Sequence, residues 1–124
     1  MPTQNIPFVQ LARAFEVYNK TVGKSPHTVI WYNSRLALFA EFVGPDCSLA
    51  DLTVERMRDF MVHLQERRER HVKNPRMPTQ EGPLSSAYIQ GCARALRAFA
   101  SWLHAEEYTD SNRLQRLKPP TIGA

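Results

Sequence analysis

The chain has little of what catalysis or metal binding on a small protein usually requires. Cysteine occurs only twice, at Cys47 and Cys92, which makes neither a metal-ligand spacing nor a disulfide framework. With Cys92 on an apolar helix face, both read as reduced thiols of a cytoplasmic protein. No apolar run approaches the roughly 20 residues of a membrane span, and the N-terminus lacks the apolar core of a signal peptide. The expectation is a soluble protein with no membrane partner. A glycine-rich phosphate loop is missing. The four histidines, His27, His63, His71 and His104, lie on different segments without a partner at ligand or triad spacing, so each reads as a surface residue. The paired carboxylates Glu106 and Glu107 sit at a helix end, where solvation explains them. Tyr18, Tyr32 and Tyr88 fall on apolar stripes and Tyr108 in a turn, with no activating cluster nearby. No catalytic residue, cofactor or metal is expected, and the chain reads as a binding module.

What is present suits one domain. The 124 residues can bury a single core of useful size. The apolar and charged fractions, 43% and 23%, are those of an ordinary globular protein. A net charge of +4 permits a polyanionic partner without demanding one.

Hydrophobic periodicity predicts four helices and no strand. The first starts at Pro7 and repeats Phe8, Leu11, Ala12, Phe15, Tyr18 and Val22 at intervals of three and four until Gly23. Phe8, Leu11, Phe15 and Tyr18 are its core candidates, and residues 1–6 read as frayed. Ser25 followed by Pro26 is a strong start for the second helix, a hydroxyl N-cap and then proline at the first position. Its inner stripe is Val29, Tyr32, Leu36, Phe39 and Val43. Trp31, Leu38 and Phe42 widen that stripe, so the helix should be buried against two neighbours. It ends at Gly44-Pro45. A short connector follows at residues 48–52, one helical turn at most. Thr53 then caps a third helix with Val54, Met57, Phe60, Met61 and Leu64 inward. That helix runs out into a charged, solvated end carrying Arg67, Arg68 and Arg70. Residues 71–83 hold three prolines and one glycine in thirteen positions and read as a mobile loop. Beyond the fourth helix, a turn and a short helical segment close at Pro119-Pro120, with Leu114 and Leu117 packing back on the body. Each helix has one apolar stripe, so mutual packing is the way to bury them all. The expected class is an all-α four-helix bundle.

The fourth helix, LSSAYIQGCARALRAFASWLH over residues 84–104, has two differently employed faces. Ile89, Cys92, Leu96, Phe99 and Leu103 fall on one side, flanked by Tyr88 and Trp102. Ser86, Gln90, Arg94, Arg97 and Ser101 gather on the other, and no Asp or Glu interrupts them. Either Ser85 or Ser86 caps the helix. A solvated face usually mixes charges of both signs, whereas this one carries only cations and hydrogen-bonding groups, as a nucleic-acid groove requires. The alternative is an amphipathic core helix with an ordinary polar outside. Lys24, Ser25, His27 and Thr28 cluster at the start of the second helix, where free amides and the helix dipole favour an anion such as phosphate. For Ser25 and Thr28, simple capping is the competing role.

The ordered segments SPHTVIWYNSRLALFAEFVG, SLADLTVERMRDFMVHLQERR, LSSAYIQGCARALRAFASWLHAEEY and RLQRLKPP resemble the N-terminal core-binding (SAM-like) domain of tyrosine recombinases and phage integrases. The features that carry the resemblance are Ser25, Thr28, Tyr32, Leu36 and Phe39, then Leu49, Leu52, Thr53, Phe60 and Leu64. In the fourth segment they are Leu84, Ser85, Arg94, Leu96, Phe99, Trp102 and Leu103. The likeness covers roughly residues 7–120. Two departures are the longer, proline-rich loop at 71–83 and Asn112-Arg113 where the family often has asparagine-proline. The resemblance implies that the helices form a compact, bundle-like orthogonal array, a domain over residues 1–120 that makes one half of a C-shaped clamp on a double-stranded DNA recombination site. The other half, a C-terminal catalytic domain of the same parent chain, supplies two arginines, a lysine, histidine or tryptophan groups and a tyrosine nucleophile. That constellation is missing here, so the implied chain is inactive alone and monomeric, with residues 121–124 beginning an interdomain linker. The resemblance also implies DNA contacts from Lys24, Ser25, His27, Thr28 and Arg35 of the second helix and from Ser86, Gln90, Arg94 and Arg97 of the fourth. Arg94 and Arg97 suit bases or phosphates, and Gln90 an adenine edge. Arg35 falls inside the apolar arc, where it could simply snorkel.

Two other classes compete. One is a helical protein-interaction module using Trp31, Trp102 or the charged end of the third helix. The other is a helix-turn-helix regulator, for which the connection from Gly44 to Thr53 is too long.

Overall fold

The computed structural model describes residues 5–73 and 84–119, with the backbone alone for 68–73. Four α-helices follow one another: α1 (Phe8–Thr21), α2 (Pro26–Val43), α3 (Val54–Lys73) and α4 (Ser86–Ala105). One 3-10 turn, Leu49–Asp51, lies between α2 and α3. The described residues contain no strand, only an isolated bridge between Pro7 and Ser48. The class is all-α. Among the described residues no helix is long and apolar enough to cross a membrane.

The helix starts follow from their caps. Ser25 Oγ accepts the Thr28 N–H at 3.1 Å, with Pro26 in the first position of α2. Thr53 Oγ1 accepts the Arg56 N–H at 3.1 Å at the head of α3. For α4 the cap is Ser85, whose Oγ accepts the Tyr88 N–H at 2.9 Å. Each bond satisfies an amide that the first helical turn leaves without a partner. At the far end of α2, Gly44 adopts φ 116°, a conformation that favours glycine, and its N–H returns to the Ala40 carbonyl.

The core is a chain of aromatic rings drawn from all four helices. Phe60 of α3 meets Phe39 of α2 edge-on at 5.4 Å, and Phe39 meets Phe8 of α1 at 5.3 Å. Phe8 meets Phe99 of α4 at 5.3 Å, and Phe15 lies 5.3 Å from Phe99 and 5.2 Å from Trp102. Leu36, Leu49, Leu52, Met57, Leu64, Leu96 and Leu103 fill the space around them, fully buried. The inward residues predicted for α3 are all buried. On α4, Gly91, Ala93, Ala95 and Ala100 are buried as well, a wider arc than its large apolar residues mark. Small side chains let neighbouring helices approach closely, and α4 packs against both α2 and α3.

Several expectations need correction. Tyr18, a core candidate, is 40% exposed and lies outside the core. The Tyr18 ring covers the rim, stacked on Phe15 and 5.7 Å from Trp102. Conversely Asn19, which the stripe omits, is buried, and its carbonyl accepts the Lys24 N–H in the turn into α2. The N-terminal end is tied down from residue 6. The Leu49 N–H donates to the Ile6 carbonyl and the Phe8 N–H to the Cys47 carbonyl, both at 3.0 Å. Residues 1–4 lie outside the described residues. Residues 71–73 belong to α3 rather than to a loop, and 74–83 lie outside the described residues, as do 120–124. Arg67 is not in a solvated tail: it is half-buried in a cleft with Leu38, Glu41, Phe42, Phe60 and His63. The closing segment forms hydrogen-bonded turns, not a helix. Asn112 Oδ1 takes the Leu114 N–H at 3.2 Å, as a cap would, but the backbone bonds that follow span only three residues, Gln115 to Asn112 and Leu117 to Leu114, and two prolines at 119–120 leave no room for further turns. Leu114 and Leu117 are buried against the body as expected.

Candidate functional site

The face of α2 made by Thr28, Trp31, Tyr32 and Arg35, spaced at three and four residues, turns towards α4. At its start, His27, Thr28, Trp31 and Tyr32 line a surface cleft of about 410 Å³ with Arg94 and Ala98 of α4. One helical turn further on, Arg35 reaches Tyr88 and lies against Gly91. Moving forward along α2 therefore means moving back along α4, so the two helices run in opposite senses. This arrangement puts the N-terminus of α2, where amides lack helical partners, beside the middle of α4.

Three of the nine predicted site residues, His27, Thr28 and Arg94, are brought together in that cleft. Lys24 and Ser25 precede it, both exposed at the same end of α2. Ser25 is occupied as a cap, and its hydroxyl also donates to Thr28 Oγ1 at 3.0 Å. The capping role is thus present for Ser25, while Thr28 keeps its side chain at the cleft wall. On α4, Arg94 is exposed and Arg97 is half-buried. Ser86, Gln90 and Arg97 share the strip beside Arg94 but do not line the cleft. Gln90 is half-buried and already engaged.

Arg35 takes a different place. Its guanidinium carbon lies 4.4 Å from the centre of the Trp31 ring and 4.6 Å from that of Tyr88. Nη1 donates to the Trp31 carbonyl and to Ser34 Oγ, each at 3.2 Å. A guanidinium over one ring of α2 and one of α4 is held by cation–π attraction, so Arg35 joins α2 to α4 instead of standing out beside Arg94. This place agrees with its angle inside the apolar arc and sets it apart from the other residues for which the resemblance implies DNA contacts. Sequence reading placed Tyr88 beside the apolar stripe of α4, and Trp31 either beside that of α2 or in a protein-interaction surface, but not the two together around Arg35. Their pairing across two helices leaves no local periodic signal.

Charge distinguishes this side of the molecule. Residues 17–40 and 82–105 contain no Asp or Glu, and these two stretches provide the cleft walls. Among the described residues, Lys24, Arg94 and Arg97 have no carboxylate partner; the ion pairs are Arg13 and Lys20 with Glu16, and Arg56 with Asp51. The hydrogen bond from Arg13 and then that from Lys20 hold the Glu16 carboxyl below its usual range, so the acid of α1 is already paired with cations of its own helix. The thiols offer no chemistry here. Burial pushes both Cys47 and Cys92 up to about 11. Among the described residues no group of three His, Cys, Asp or Glu side chains could hold a metal ion.

Comparison of the chain with models of protein families, with curated proteins and with solved structures gave no match.

Proposed function

We propose that the protein is a double-stranded-DNA-binding domain of SAM-like architecture, acting as the N-terminal half of the clamp by which a tyrosine recombinase or phage integrase holds its recombination site. The observation that carries this reading is the cleft that sets exposed Arg94 beside His27 and Thr28, on two stretches without an acidic residue. A cation next to a helix N-terminus is a favourable seat for a backbone phosphate. Lys24 lies one turn away on one side of it, and Arg97 continues along α4 on the other. In this reading Lys24, Arg94 and the α2 amides position the duplex by its phosphates, and the Arg94–Arg97 strip faces the groove. Strand cleavage belongs to a second, catalytic domain of the parent protein, so the chain alone binds without cutting.

An interaction module anchored on Trp102 has less support, because that ring is only 9% exposed and packed between Phe15, Phe99 and Tyr108. The test is binding of a labelled duplex at low salt. Saturable binding that weakens in the Arg94→Ala, Arg97→Ala double variant, with the melting curve retained, supports the proposal. Equal affinity in the double variant would remove it.

A further inference from the structure

We infer that Arg35 is a positioning residue for this interface: held between Trp31 and Tyr88 over Gly91, it sets the spacing of α2 and α4 and therefore the width of the cleft. The inference rests on the DNA-binding reading above. Three contacts carry it. The guanidinium bridges a ring of its own helix and a ring of α4 at 4.4 and 4.6 Å. Its Nη1 bonds to Trp31 and Ser34 fix it from the α2 side. A Cβ added at Gly91 would lie 3.4 Å from both Arg35 Nε and the Trp31 ring, so the clamp packs close over α4 where Gly91 presents no side chain, and anything larger than a methyl there must displace it. Trp31 serves both structures, since it also lines the cleft with Thr28 and Arg94. A shift of the clamp is transmitted to the cleft through that ring. Arg35 thus acts through its neighbours and not by touching phosphate.

This role separates cleanly from direct contact. A residue that neutralises a phosphate contributes about 0.9 to the slope of log affinity against log salt, whereas a residue that only places others leaves the slope unchanged as long as the cations it places keep their phosphates. The experiment uses Arg35→Met, which keeps the stem and removes the charge, Arg35→Lys, which keeps the charge without the planar fork, and Gly91→Leu, which forces a side chain under the clamp. Each is titrated with a labelled mixed-sequence duplex at several low salt concentrations, well below its melting temperature. The indole N–H signals of Trp31 and Trp102 are followed by NMR.

Arg35→Met and Gly91→Leu are expected to lose about tenfold in affinity at an unchanged salt slope, with the Trp31 indole signal displaced and that of Trp102 in place. Arg35→Lys should recover part of the loss. Should Arg35→Met fail to fold, Arg35→Lys and Gly91→Leu carry the test. A slope lowered by about one unit in Arg35→Met but not in Gly91→Leu would make Arg35 a phosphate contact and overturn the inference. Unchanged affinity alongside a displaced Trp31 signal would overturn it too, as would an unmoved Trp31 signal. If the unaltered chain does not bind duplex at all, the DNA reading falls and the positioning role with it. The indole signals then still report whether the clamp exists.

Discussion

Arg113 Nη1 donates to the backbone carbonyl of Leu49 at 3.0 Å, across 64 positions of sequence. The bond fastens the closing segment to the 3-10 turn, which also receives the N-terminal segment through Ile6 and Phe8. Both ends of the described chain therefore meet at residues 47–51, on a turn braced by the Ser48 N–H to Asp51 Oδ2 bond at 2.9 Å.

Replacing Arg113 with Met removes a charge-assisted bond to a partly buried carbonyl. A loss of about 1–2 kcal/mol in urea unfolding is expected, with no change in duplex affinity, since the turn is remote from the cleft. A loss below about 0.3 kcal/mol would mean that Leu114 and Leu117 hold the segment without it.

Phe99 is fully buried between Phe8, Phe15 and Trp102. Phe99→Ala should cost about 3–5 kcal/mol, from lost transfer energy and the cavity left behind. Because its rings come from α1 and α4, a melt of this variant reads the contact between those helices. A cost under about 1 kcal/mol would place Phe99 outside the core.

The buried thiols make stability depend on pH at the alkaline end. Cys47 and Cys92 rise from an ordinary 9.0 to about 11, chiefly because burial disfavours the thiolate, with Asp51 adding to the shift at Cys47. The unfolded chain ionises them first, so their contribution is intact below pH 9 and is lost as pH rises towards 11. Denaturant midpoints should fall over that window and fall less in a Cys47→Ala, Cys92→Ala variant. At neutral pH, iodoacetamide should label the thiols only as fast as the protein opens.

Ser25→Ala removes the cap of α2, with a loss of about 1 kcal/mol expected in thermal unfolding. In the proposed interface it also loosens the helix end that faces phosphate, so duplex affinity should fall modestly. Ser25→Asp separates the two effects. It keeps the cap and restores stability, yet its charge should weaken duplex binding further. Equal binding by the Asp and Ala variants would place the α2 terminus away from the DNA.

The legible parts of the sequence were those with a local cause. Ser25-Pro26 and Thr53 marked helix starts because caps act within one turn, and the α3 stripe matched because that helix buries one narrow face. The burial of Gly91, Ala93, Ala95 and Ala100 was missed: a hydropathy stripe weights large side chains, whereas α4 is covered on several sides through small ones. Tyr18 kept the right period, but its ring lies at the rim over Phe15 and Trp102 and stays 40% exposed, while Asn19 beside it turns inward. The candidate site was half legible. Lys24, Thr28 and Arg94 stood out by type and position, but the union of the α2 terminus with α4, and the diversion of Arg35 into a clamp, depend on how two distant segments pair. No local pattern records that.

Salt dependence of duplex binding tests the proposed function most directly. The slope of log affinity against log salt should be clearly negative for the unaltered chain and should shrink by about 0.9 for each phosphate-contacting cation removed, hence by nearly two units in Arg94→Ala, Arg97→Ala if both reach phosphate. A slope identical in the double variant and the unaltered chain, with both folded, would contradict a DNA interface at the α2–α4 cleft.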